Sequence, residues 1–165
     1  MESIQTQQSV LTGQPAAEVQ EKPKTFEEYI EVHQEKWNGI LHMLNEKMKN
    51  INTLPDLMNV VYCQRQDAVD YYHTMLNKLT KREKEYKQLY AAEYNKLKTN
   101  AQIRYSTEAA INAQIEASLA DVIYITNLLD NHTRYMLDTI KSIDNLIYGI
   151  NNRLRVEELM EGVKK

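Results

Sequence analysis

The sequence predicts an all-α protein: long helices with a C-terminal heptad seam, forming a helical bundle or a coiled-coil oligomer. Three observations carry this. Breakers are scarce, with 4 Gly and 3 Pro in 165 residues, while Lys, Glu, Asn, Ile and Leu abound. No segment shows the apolar–polar alternation of a half-buried strand. Toward the C-terminus, apolar residues recur alternately four and three apart for more than five heptads.

The length suits one domain with a tail. Residues 1–24 are polar and Gln-rich with two prolines and no sustained periodicity, which predicts a disordered tail. Residues 25–104 form an N-terminal helical region. Its first helix starts at Thr25, which with Glu28 fits a capping box. Tyr29, Val32, Trp37, Ile40, Leu41, Leu44, Met48 and Ile51 then fall near a 3.6-residue period. Thr53-Leu54-Pro55-Asp56 breaks that pattern and opens a second helix, because proline and an acidic residue are both favourable in a first turn. This helix can run through Val60, Val61, Tyr72, Leu76, Leu79 and Tyr86 to Leu97. Interruptions are expected at Thr99-Asn100 and over residues 105–108, where side chains can cap helix ends.

Residues 105–165 then form one long oligomerisation helix, from about 107 to 156. Its seam is Ile115, Leu119, Val122, Thr126, Leu129, Thr133, Met136, Ile140, Ile143, Ile147, Ile150 and Leu154. From Met136 every seam residue is apolar, and β-branched Ile at both core positions favours more than two strands in parallel coils. Leu128, Leu137, Leu146 and Tyr148 widen the apolar face. A helix of about 50 residues spans roughly 75 Å, which one short chain covers with difficulty. Met136, Ile140, Ile143, Ile147, Ile150, Leu154 and Leu159 are therefore the expected oligomer interface. The alternative is that the first two helices fold back and cover the seam within the chain.

Composition excludes several classes of function. One Cys rules out an intramolecular disulfide framework. The chain opens with no secretory signal pattern, and no apolar run approaches the roughly 20 residues of a membrane span, so a soluble intracellular protein is expected. Asn131-His132-Thr133 is then a chance match to a glycosylation acceptor. His33, His42, His73 and His132 lack metal-ligand spacing and are expected at the surface or its boundary. There is no phosphate-cradling glycine loop, no nucleophile elbow and no activating pattern around Cys63. The expectation is a protein that is not an enzyme and needs no cofactor or metal.

Charge is the informative signal. Residues 1–77 hold 6 basic and 11 acidic groups, residues 78–104 hold 8 and 3, and residues 105–165 hold 6 and 9. A net charge of −3 thus hides one island of +5. Lys78, Lys81, Arg82, Lys84, Lys87, Lys96, Lys98 and Arg104 are the candidate DNA-binding residues, since a basic track binds phosphates by counterion release. Tyr86, Tyr90 and Tyr94 lie four apart on one helix face, where they can pack in a core or stack on unpaired bases. Single-stranded nucleic acid suits the island better than duplex, because no groove-reading motif is present. The bland counterpart is an amphipathic helix with lysines keeping a scaffold soluble.

The chain also resembles a known family over residues 79–162. The resemblance rests on Leu79, Lys81 and Arg82, then Tyr105 and Glu108, then Ile143, Tyr148, Ile150, Val156, Leu159 and Gly162. On these it resembles the UvsY recombination mediators of T-even-type phages, with no counterpart for residues 1–50. The resemblance implies an all-α homo-oligomer of roughly six or seven chains joined through C-terminal helices. It also implies single-stranded DNA binding and loading of a RecA-like recombinase in place of single-strand-binding protein, during phage recombination and repair in the cytoplasm of an infected bacterium. The rival expectation is a non-enzymatic coiled-coil scaffold, for instance in a virion.

Overall fold

The computed structural model describes residues 25–99 and 107–163. They form α1 (Phe26–Lys47), a 3-10 turn (Ile51–Thr53), α2 (Leu54–Thr99), α3 (Glu108–Ser118) and α4 (Ala120–Val163). The tail at 1–24 and Arg104 lie outside the described residues.

Local chemistry sets most of the helix ends. Thr25 accepts a hydrogen bond from the Glu28 backbone N–H at 3.1 Å, and the Glu28 carboxylate accepts one from Thr25 N–H at 3.3 Å. Asn50 caps the 3-10 turn by accepting from Asn52 N–H. Pro55 and Asp56 occupy the first turn of α2. Thr107 caps α3 by accepting from Ala110 N–H at 3.2 Å.

Two pairings fix the topology. Arg65 meets Asp144, Tyr71 meets His132, Tyr90 meets Asn112 and Tyr94 meets Glu108, so α2 runs antiparallel to α3 and α4. Tyr135 meets Gln34 and Asn38 while Arg153 donates to the Met48 carbonyl, so α1 runs parallel to α4. Packing follows a seven-residue rhythm. Buried apolar side chains recur at this interval: Ile30, Trp37 and Leu44 in α1, Leu54, Val61, Ala68 and Met75 in α2, and Leu129, Met136, Ile143 and Ile150 in α4. A seven-residue recurrence keeps one face of each helix toward its neighbours when helices pack side by side at a small angle. Burying an aliphatic side chain of this size contributes about 1.5–3 kcal/mol, so these positions dominate the stability. The Arg65–Asp144 pair at 2.6 Å is partly exposed and serves register more than stability.

The helices differ in length, and that difference shapes the molecule. α1 has 22 residues and α2 has 46, or roughly 33 Å against roughly 69 Å at 1.5 Å per residue. The first turns of α1 reach only to Lys78 and Tyr124, where the Lys78 ammonium lies 5.2 Å from the Tyr29 ring centre and the neighbouring Glu27 carboxylate holds the Tyr124 phenol above its ordinary pKa. Beyond that level α2 and α3 are the helices that continue among the described residues, as a two-helix arm.

Three sequence expectations are corrected. The helix expected over residues 107–156 is divided at Leu119, whose backbone leaves the helical region at φ −106° and ψ 14°. The Ser118 hydroxyl donates to the Ile115 carbonyl at 2.8 Å, a local bond that competes with regular helix geometry. Ile51, placed on the first helix by its period, belongs instead to the 3-10 turn, because α1 ends at Lys47. Of the expected oligomer interface, Met136, Ile143 and Ile150 are wholly buried in the cluster that holds Trp37, Leu44, Val61 and Ala68 of the same chain. Ile140, Ile147 and Leu154 pack half-buried against that cluster, and Leu159 is 71% exposed. The fold-back alternative thus describes the seam, because α1 and α2 supply the apolar faces that other copies would otherwise provide.

Truncation separates the two classes of seam residue. Ile143→Ala should lower the urea unfolding free energy by about 2–5 kcal/mol with an unchanged slope. Leu159→Ala should change the unfolding free energy of the single, unassembled chain by no more than about 0.5 kcal/mol. Equal effects would contradict this assignment of the core.

Candidate nucleic-acid interface

The basic stretch lies on α2, mostly in the arm. Tyr86, Tyr90, Tyr94 and Leu97 face inward and, with Ile123, pack against Ile111, Ile115 and Leu119. Two helices alone enclose little volume, and large rings fill it. The polar ends of two rings are satisfied across the gap: Tyr90 Oη donates to Asn112 Oδ1 at 2.8 Å, and Tyr94 Oη donates to Glu108 Oε1 at 2.5 Å. These tyrosines are half-buried and pack within the arm.

The basic side chains divide into three groups. Lys81, Lys84 and Lys87 are exposed and make no ion pair or hydrogen bond among the described residues. Their three-residue spacing winds them around the outer side of α2 over roughly 9 Å of helix. Four others have local partners. Lys78 lies over Tyr29, and Lys98 lies 4.7 Å from the Tyr94 ring centre. Tyr94 beside Lys98, with Glu108 beyond, holds that ammonium above its ordinary pKa. Arg82 pairs with Glu85 at 2.7 Å and Lys96 with Glu93 at 3.3 Å. The Arg82 Nε is buried without a partner among the described residues, so this side chain lies against the arm. Arg104 is not described.

The arm has two electrostatic sides. α2 presents the lysines, whereas α3 carries Glu108 and Glu116 and no basic residue. Glu116 also borders an open groove of about 400 Å³ with Tyr86, Ile123, Thr126 and Asn127. Among the described residues no helix is long and apolar enough to cross a membrane, and no group of three or more His, Cys, Asp or Glu could hold a metal ion.

A second polar cluster escaped the sequence reading. His132, expected at the surface, is fully buried where α1, α2 and α4 meet. Its Nε2 is 3.0 Å from the Tyr71 hydroxyl, and its Nδ1 is buried with no partner among the described residues. Its ring lies parallel to Tyr135 at 5.9 Å and edge-on to Tyr71 at 5.6 Å. His33 of α1 stacks on Tyr71 at 4.8 Å and touches Tyr29 at 4.3 Å. Burial first, then the cationic influence of His33 and Lys78, lowers the His132 pKa to about 4. Burial and then Lys36 and Lys78 lower that of His33. The signal was present in the spacing, since His132 follows Leu129 by three residues and falls on the buried side of the seam.

No family model matches the chain, and no curated protein or solved structure matches it with significance.

The packing role of the tyrosines is open to test. Tyr90→Ala removes the ring and its Asn112 bond, and should speed amide exchange in residues 86–97 and 108–118 by tenfold or more while leaving α1 unchanged. Tyr90→Phe should cost only about 1 kcal/mol, the net worth of one hydrogen bond. Unaltered exchange in Tyr90→Ala would refute the role.

Proposed function

We propose that this chain is a non-enzymatic recombination mediator that binds single-stranded DNA along the outer side of its arm. In this reading it helps load a RecA-like recombinase in place of single-strand-binding protein during phage recombination and repair in the bacterial cytoplasm. The observation that carries the reading is the row of Lys81, Lys84 and Lys87, exposed and unpaired on an arm that projects beyond the three-helix body. Phosphates need only an accessible row of cations, and a flexible single strand can follow one that winds around a helix. The family resemblance over residues 79–162 supports the same reading.

Three lysines make a weak site alone, so the mediator works as a homo-oligomer that multiplies the site without new contacts. Support comes from the end of α4, where Val156, Leu159 and Met160 are 56%, 71% and 60% exposed. Their spacing of three and one places them on one side of the helix, and an apolar stripe in water favours a partner. A second reading, a coiled-coil scaffold, draws on the same apolar end and on the glutamates interleaved with the lysines.

Fluorescence anisotropy with a labelled oligo-dT strand separates the two. A mediator should bind at micromolar or tighter affinity at 50 mM salt. With about three phosphate contacts per chain and about 0.7 counterions released per contact, a rise to 200 mM should weaken binding roughly 20-fold. The triple charge reversal K81E/K84E/K87E should abolish binding while the mass by light scattering stays unchanged; Arg82 is left intact because it contacts Glu85. Absence of binding at 50 mM would sink the mediator and leave the scaffold.

A further inference from the structure

We propose that the His132 junction is an acid-operated latch: proton uptake there releases the N-terminal half of α1, residues 26–37, from the α2–α4 hairpin.

The geometry supports this in three steps. First, among the described residues the groups around the ring offer no anionic partner. From α1 comes His33, with Tyr29 and Lys36 beside it; from α2 come Tyr71 and Lys78; α4 contributes Tyr135. The charged groups acting on the ring are His33 and Lys78, and neither is a carboxylate. An imidazolium in a dry site among cations is strongly disfavoured. Second, α1 is the cover whose removal admits water at least cost. Its N-terminal half holds the junction with Ile30 and a set of rings, while its C-terminal half is anchored by Leu44, by Ile40, Leu41 and Met48 packed on the same cluster, and by the bond from Arg153 to the Met48 carbonyl. Lifting residues 26–37 hydrates His132 and leaves the Met136–Ile143–Ile150 seam closed. Third, His33 stands between α1 and Tyr71, so its own protonation pushes the same way.

The sign follows from linkage. His132 is neutral and buried in the closed form, with its pKa lowered from 6.5 to about 4. Closure is therefore fully favoured above about pH 6.5 and is lost as pH falls from there toward 4, by a factor on the order of a hundred.

The chain carries its own probe. Trp37 is the sole tryptophan, is 3% exposed and lies 6.5 Å from the Tyr71 ring. In the full chain, Trp37 emission should shift red in one step between pH 6 and 4 while far-UV circular dichroism keeps most of its helical signal. Amide exchange, corrected for its intrinsic pH dependence, should quicken in residues 26–37 and stay slow in residues 136–150. His132→Leu should abolish the step. Should that variant not fold, histidine ring-proton NMR of the unaltered chain decides, since the titration of His132 must coincide with the Trp37 transition. A Trp37 signal that is flat to pH 4, or one that changes only together with loss of helix, would overturn the proposal.

Discussion

Burial of Met136, Ile143 and Ile150 against α1 and α2 is the interaction on which the rest of the molecule depends. Each is fully removed from water, and each lies seven residues from the next. Once α4 is covered that way, its direction relative to both neighbours is set, and the hairpin of α2 with α3 and α4 follows. A partner of 22 residues cannot cover one of 46, so two ends are left over. One is the arm, where α2 outruns α1. The other is the last turns of α4, where Val156, Leu159 and Met160 stay exposed.

The arm shows what a two-helix segment requires. With no third helix to close it among the described residues, its interior is shallow, and small aliphatic side chains would leave it wet. Tyrosines at 86, 90 and 94 solve this with long rings whose hydroxyls reach the rim, where two of them find Asn112 and Glu108. The same arrangement sends Lys81, Lys84 and Lys87 outward, because they occupy the helix positions that the rings do not. A packing need and an electrostatic surface therefore come from one periodicity. Stacking on bases and filling the arm draw on the same rings, and in the arm these rings pack half-buried.

Most of this architecture was legible because caps and apolar periods are local signals. Thr25, Pro55 and Thr107 mark helix starts by chemistry that acts within four residues. The heptad run of α4 was equally plain, but a seam does not say whether its cover comes from the same chain or another. That distinction depended on matching α1 and α2 to α4, a long-range fact. The division at Leu119 was invisible for another reason, since it rests on a Ser118 hydroxyl choosing the Ile115 carbonyl and involves neither Gly nor Pro. Within the candidate site, the outward lysines followed from spacing, whereas the local commitments of Arg82, Lys96 and Lys98 depended on which neighbouring side chain each one meets. His132 was misplaced because a lone histidine is polar by type, and its position within the seam outweighed that preference.

The polar residues inside that seam differ in how they are satisfied, and the difference explains where the bundle is weakest. Thr133 and Thr139 are buried, yet each hydroxyl donates to a carbonyl four residues earlier in its own helix, Leu129 and Tyr135 respectively. Such bonds travel with α4 and survive any change in its neighbours. An imidazole cannot be satisfied in that way. His132 depends on Tyr71 of α2 at one nitrogen, while its other nitrogen has no partner among the described residues. Its burial is thus a loan from the packing of the neighbouring helices, secured chiefly by apolar groups further along. α1 is accordingly graded: aliphatic side chains hold its C-terminal half, and mainly rings, several with titratable atoms, hold its N-terminal half. A helix held in this manner parts first at its polar end, because proton uptake there favours water over the closed junction while leaving the apolar end unaffected.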